Sequence, residues 1–169
     1  MTGNAEAATH GIEGMSQLAG KYLTFALSDE QYALPILKVQ EIIGLMNFTH
    51  VPGTPPYLKG VINLRGKIIP VVCLRTKFEL PRGEYNEKTC IIVVDVHCNG
   101  RKMNVGIVVD TVLEVLNLNG SQIEPTPDYG SNLQTSFILG MGRTNDNRVL
   151  ILVDIDKALY DSIPEQVVA

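Results

Sequence analysis

The chain has 169 residues, 45% of them hydrophobic, with six Tyr, four Phe and no Trp, so Val, Ile and Leu must build its core. That length gives room for one domain or for two small interlocked lobes. Its 14 Lys and Arg against 18 Asp and Glu leave a net charge of −4. Because the basic residues are interleaved with apolar ones, the dense cationic footprint of a nucleic-acid binder is missing. The longest apolar run, residues 68–74, is too short to cross a bilayer and contains Pro70, so direct membrane insertion is not expected. The first twenty residues hold no Lys or Arg and no apolar block, which argues against a signal peptide and for a cytoplasmic protein. The three cysteines, Cys73, Cys90 and Cys98, have no CxxC spacing, and the first two lie in apolar runs where a free thiol acts as a small hydrophobe.

Residues 1–20 are small, polar and without periodicity, and read as a disordered tail. Order is expected from residue 21. Residues 21–27 and 31–34 form a first hairpin across Ser28-Asp29-Glu30, and Pro35 opens a short helical turn through Lys38. Residues 39–43 read as a strand, and strict alternation puts Val39, Glu41 and Ile43 on one face. Residues 48–56 are a Pro-rich connection. Two β-branched runs then flank Arg65-Gly66, a hairpin signal that carries a guanidinium at its tip and a glycine able to take φ > 0. Pro70 has no N–H for a ladder, so its strand should be an edge or carry a bulge.

Residues 77–88 are loop-like. Residues 89–96 and 103–109 are strands joined by Asn99-Gly100, and residues 111–118 make another. Residues 125–136 read as loop, and 137–141 and 149–153 as a last hairpin. The only convincing helix is the final one. It is capped by Asp154, carries Ile155, Ala158 and Leu159 on one stripe, and should run to about Ile163, before Pro164. About ten short strands with turn signals every 8–12 residues indicate an all-β protein, suited to two small barrels packed together.

A catalytic constellation is hard to assemble. His10 falls in the tail, and His97 and Cys98 are neighbours that a strand points to opposite faces, so they cannot share a metal. A Cys–His nucleophile built on Cys73 or Cys90 stays open, since spatial neighbours are invisible in sequence. Gly66-Lys67 is followed by Ile68 and lacks the Ser or Thr of a phosphate loop. The Gly140-Met141-Gly142 stretch leads to a turn and a strand, unlike a dinucleotide loop. Asp95, Asp110 and Asp154 sit at strand ends, where turn and cap roles are commoner than acid–base work. No cofactor or metal is expected.

Several segments resemble, in the same order, the CheW family of bacterial chemotaxis coupling proteins. They are Phe25-Ala26-Leu27-Ser28-Asp29-Glu30-Gln31-Tyr32, Ile36-Leu37-Lys38-Val39-Gln40-Glu41-Ile42, the hairpin Asn63-Leu64-Arg65-Gly66, Gly106-Ile107-Val108-Val109-Asp110, and Leu150-Ile151-Leu152-Val153-Asp154. The resemblance implies two SH3-like five-stranded β-barrel subdomains over a shared apolar interface, filling residues 21–163, with a short C-terminal helix and a tail at 164–169. It also implies a non-catalytic adaptor, recruited to membrane-bound arrays, that links the cytoplasmic tips of methyl-accepting chemoreceptors to the regulatory domain of the histidine kinase CheA. The family's receptor-facing positions fall here on Val39, Glu41, Gly60, Arg65 and Cys90. A groove floored by Val39 and Cys90 would take the apolar stripe of a receptor helix, with Glu41 and Arg65 selecting charges at its rim. The rival reading is a small β-barrel enzyme or ligand-binding protein with a pocket between the lobes.

Overall fold

The computed structural model describes residues 17–81, 83–98, 100–126, 137–160 and 162–163, and among these it has eleven strands, two single-turn α-helices and two 3-10 turns. The expected tail therefore lies outside the described residues up to position 16. Leu18 is already packed, against the cluster around Tyr22, whose hydroxyl donates to the Leu18 carbonyl at 2.5 Å.

The strands are β1 (Gly20–Leu27), β2 (Glu30–Pro35), β3 (Val39–Gly44), β4 (Leu58–Leu64), β5 (Lys67–Cys73), β6 (Cys90–Cys98), β7 (Arg101–Val109), β8 (Thr111–Leu118), β9 (Ile123–Glu124), β10 (Ile138–Arg143) and β11 (Val149–Val153). Helix α1 is Leu74–Lys77 and α2 is Ile155–Ala158. The strands form two sheets. One has the order β8-β1-β2-β11-β10-β9, its last member only two residues long, and the other β3-β6-β7-β5-β4. The middle of the chain thus builds one lobe, while β1 and β2 before it and β8 to β11 after it build the other. The crossings are made by the 3-10 turn Ile36–Lys38, between β2 and β3, and by Asp110, between β7 and β8.

Each sheet curls around its own small core. Tyr22, Ala33, Leu118, Ile123, Leu150 and Leu152 fill one, and Ile62, Ile69, Val71, Ile91, Val93 and Val108 the other. The opposite faces of both sheets meet in a third and largest cluster. Leu23, Phe25, Leu27 and Leu34 come to it from the first sheet, and Ile92, Val94, Val96, Ile107 and Val109 from the second. This is the arrangement of two SH3-like barrels over a shared apolar layer. Strands buried on both faces read as continuous apolar runs, which is why residues 91–94 are all buried.

Three expectations are corrected. First, β5 is an inner strand, between β7 and β4. Pro70 is tolerated because β5 pairs with β7 only over Val71, Val72 and Cys73, so at Pro70 one side of the strand has no ladder to complete. Second, Val39, Glu41 and Ile43 do not share a face. Val39 lies opposite Val94 and Glu41 opposite Val93, so Gln40 is a bulge that flips the alternation between them. Third, α2 ends at Ala158, not Ile163. Its chain continues in tighter turns, with Ser162 N donating to the Leu159 carbonyl at 2.9 Å, and Ile155, Ala158, Leu159 and Ile163 are buried nonetheless. Asp154 does cap α2, its side chain accepting from Lys157 N at 3.2 Å.

Two polar clasps tie the lobes together. In the first, the Arg75 guanidinium of α1 grips the Asp110 carboxylate through two hydrogen bonds, Nε to Oδ1 at 2.7 Å and a second to Oδ2. That carboxylate also accepts from Ser28 N, in the β1–β2 turn, at 2.8 Å. The hydrogen bond to Asp110 is also the main reason the Arg75 pKa is raised. In the second, Asp156 accepts from Lys38 Nζ and from His97 N, at 2.8 and 2.9 Å. Burial pushes the Asp156 carboxyl up, but the Lys38 ammonium and the His97 amide together hold it below its usual value.

Losing either partner of the half-buried Arg75–Asp110 clasp strands the other. Arg75→Ala and Asp110→Asn should each lower the free energy of unfolding by about 2 kcal/mol, read from urea denaturation. Because the folded Asp156 carboxyl titrates below the unfolded value of about 3.9, its stabilisation is complete above that pH and is lost as pH falls through the folded value. The melting temperature of Asp156→Asn should accordingly fall less steeply than that of the parent protein as pH drops from 5 to about 3.

Candidate functional site

The hairpin between β4 and β5 is a two-residue turn with φ of 51° at Arg65 and 86° at Gly66. Positive φ at both central residues is the requirement of a type I′ turn, whose twist matches that of the flanking strands. Gly66 meets it without strain and Arg65 against its preference. The Asn63 side chain supports the turn by accepting from Gly66 N at 2.9 Å. The motif Asn63-Leu64-Arg65-Gly66 is thus a self-bracing device that holds one guanidinium clear of the barrel.

That guanidinium pairs with the Glu41 carboxylate on β3. β3 and β4 are the two edges of the second sheet, so the pair spans the seam where its barrel closes. Just beyond β3, Thr49 and Val61 exchange two backbone hydrogen bonds of 2.9 Å and complete the closure. Glu41 reaches the seam because of the bulge at Gln40, which turns it away from the face that Val39 occupies. Arg65 remains 69% exposed while Glu41 is only 24% exposed, so the cation is open to an incoming group and the anion is largely covered.

Gly60 sits on β4 directly under Thr49. Its φ is 141°, and a Cβ there would collide with the Thr49 carbonyl, so only glycine allows this close crossing. Val39 and Cys90 lie on the other face, both half-buried against the shared apolar layer. Burial pushes the Cys90 thiol up, a hydrogen bond with the Val112 backbone partly opposing it, so the side chain stays a neutral thiol. The five positions therefore form two groups. Glu41, Arg65 and Gly60 mark the seam, and Val39 and Cys90 mark the layer, with the β3 edge between them. Sequence reasoning missed Ile42, Leu45 and Met46, which are large, apolar and 45%, 38% and 37% exposed along and just after that edge. An apolar run on an assumed strand reads as core, and only the edge position of β3 leaves them in water.

Among the described residues, no three His, Cys, Asp or Glu side chains gather as a metal site would need, and no helix is long and apolar enough to cross a membrane.

Two SH3-like barrels joined through one apolar layer, with an exposed ion pair on the seam of one of them, define a double-barrel scaffold of the CheW-like class. The family model for the CheW-like domain matches residues 21–162. The chain is 44% identical over 154 residues to the chemotaxis protein CheW of Klebsiella aerogenes, covering 88% of this chain and 90% of that one. It is 35% identical over 132 residues to the chemotaxis protein CheW of Helicobacter pylori, covering 78% and 77% of the two chains. Its fold superposes on the crystal structure of the scaffolding protein TtCheW from Thermoanaerobacter tengcongensis with a TM-score of 0.74 at 32% identity, over 86% of this chain and 96% of that one. The chain belongs to the CheW family of chemotaxis proteins.

Gly60→Ala combines a backbone clash with a strained φ, and should cost about 2–3 kcal/mol in chemical denaturation, far more than the same change at the open turn glycine Gly53.

Proposed function

We propose that this protein is a non-catalytic adaptor that couples the cytoplasmic tips of chemoreceptors to the histidine kinase CheA, and that Val39, Glu41, Gly60, Arg65 and Cys90 serve the receptor side of that coupling. The observation that carries the proposal is the exposed Arg65 guanidinium, held at the barrel seam by Glu41 beside an apolar strand edge. A receptor tip is helical. A helix laid along β3 can set its apolar stripe on Ile42, Leu45 and Met46 while its flanks meet Val39 and Cys90 on one side and the Glu41–Arg65 pair on the other. An edge strand suits this task because no further strand covers the backbone and side chains along its outer edge. The apolar contacts supply the area, and the charge pair supplies register and discrimination. Recruitment to receptor arrays then follows from binding alone, with no chemistry performed by the adaptor.

The test rests on separating fold from binding. Arg65→Ala removes an exposed pair and should change stability by no more than about 0.5 kcal/mol. It should nonetheless weaken binding to a receptor cytoplasmic fragment, and receptor control of CheA autophosphorylation, by about tenfold or more. The charge-swapped double variant Glu41→Arg with Arg65→Glu keeps a pair across the seam and reverses its field. It should stay folded and lose the receptor. Normal receptor binding by the swapped protein would show that the pair only closes the barrel and would overturn its assignment to the receptor side. Binding of the parent protein to neither partner at low salt would overturn the adaptor reading altogether.

A further inference from the structure

At the base of the β4–β5 hairpin, the end away from the Arg65-Gly66 turn, lies a cavity of about 310 Å³ between β4, β5, α1 and Gly83 with Tyr85. Its polar lining includes Lys59, Arg75, Thr76 and Tyr85, with Pro56 and Cys73 completing much of the wall. Among the described residues, no carboxylate lines it.

The cavity walls are braced. Arg75 Nη1 donates to the Pro81 carbonyl at 2.9 Å, which pins Pro81 against α1. Gly83 then lies against the guanidinium so closely that a Cβ there would collide with it. The Tyr85 phenol hydrogen-bonds with the Cys73 thiol, and burial together with that neighbour pushes the phenol's pKa up, so it remains a neutral donor at any physiological pH.

The balance of donors is what distinguishes the cavity. Arg75 has five N–H groups, of which the bonds to Asp110 and Pro81 use three, leaving two. Asp110 cancels the charge of Arg75 but not these donors. Lys59 has no acidic partner among the described residues, so the net positive charge of the site is its own. The Thr76 hydroxyl adds a donor of adjustable direction. Pro56 and the Tyr85 ring provide an apolar wall on which a short carbon skeleton can rest. We propose that this cavity binds a small organic anion, whose carboxylate or phosphate oxygens lie between Lys59 and the unused N–H groups of Arg75. The site is independent of the receptor reading, since it uses none of the five positions assigned to the receptor.

The test is titration of the full ¹⁵N-labelled chain, followed by amide NMR, with inorganic phosphate in one series and succinate in another, each at constant ionic strength set by chloride. Saturable shifts centred on Lys59, Thr76, Gly83 and Tyr85 are expected for one or both probes. Saturation by phosphate alone assigns the site to phosphate esters, and saturation by succinate alone assigns it to carboxylates. Lys59→Gln should raise the dissociation constant about tenfold or more, because a charged hydrogen bond is lost, while Lys21→Gln, a lysine on β1, should leave it unchanged. Thr76→Val, which keeps the lysine in place, should raise it several-fold and serves as the test should Lys59→Gln melt below the parent protein. Shifts that grow linearly with both probes, shifts centred elsewhere, or equal affinity in Lys59→Gln and the parent would overturn the proposal.

Discussion

The shared apolar layer between the two sheets is the constraint on which everything else depends. Neither lobe closes a core large enough to stand by itself, since their private clusters hold six buried residues each, whereas the layer between them holds nineteen. That layer takes one face of β5, β6 and β7 and the core of their own barrel takes the other, which explains the runs of Val and Ile in these strands. A chain of aromatic rings follows the same route. Phe25 stacks on Tyr32 at 5.8 Å, Tyr32 meets Phe78 at a tilt at 5.8 Å, and Phe78 stacks on Phe137 at 4.4 Å, joining residues far apart in sequence.

Because the layer occupies one face of each sheet, the remaining surfaces are divided by necessity. The inner strands are committed to packing, and the side chains exposed along the β3–β4 seam are left in water. The polar clasps work at the margins of the layer. Arg75 with Asp110 and Ser28, and Asp156 with Lys38 and His97, each satisfy groups that the chain crossings bring together. They fix how the lobes sit, while apolar burial supplies most of the drive to join them.

The same logic separates the two surfaces of interest. The seam pair Glu41–Arg65 lies at an exposed edge, where an ion pair is weak enough to be exchanged for contacts with a partner. The cavity near Lys59 lies where α1 and the segment around Gly83 fold back on β5, held by Arg75, the residue that also clasps the lobes. One arginine thus serves two neighbourhoods, and its guanidinium geometry permits this because its donors radiate in a fixed plane.

Local chemistry was legible in the sequence wherever a residue's own backbone demands decide the outcome. Arg65-Gly66 announced its hairpin, Asp154 its cap, Pro35 its turn, and the β-branched runs their strands; the order of motifs announced the family. What depended on register was not legible. The bulge at Gln40 puts Val39 and Glu41 on opposite faces, because one extra residue inverts every side chain beyond it and nothing local marks where it is inserted. Pro70 could be placed in an inner strand only because the parallel pairing with β7 starts one residue later. Whether Ile42 is core or surface, and whether Glu41 meets Arg65 across 24 positions of chain, depends on which strands become the edges of a closed sheet. Periodicity specifies which face of a strand is apolar, but only the packing of two sheets decides what that face touches.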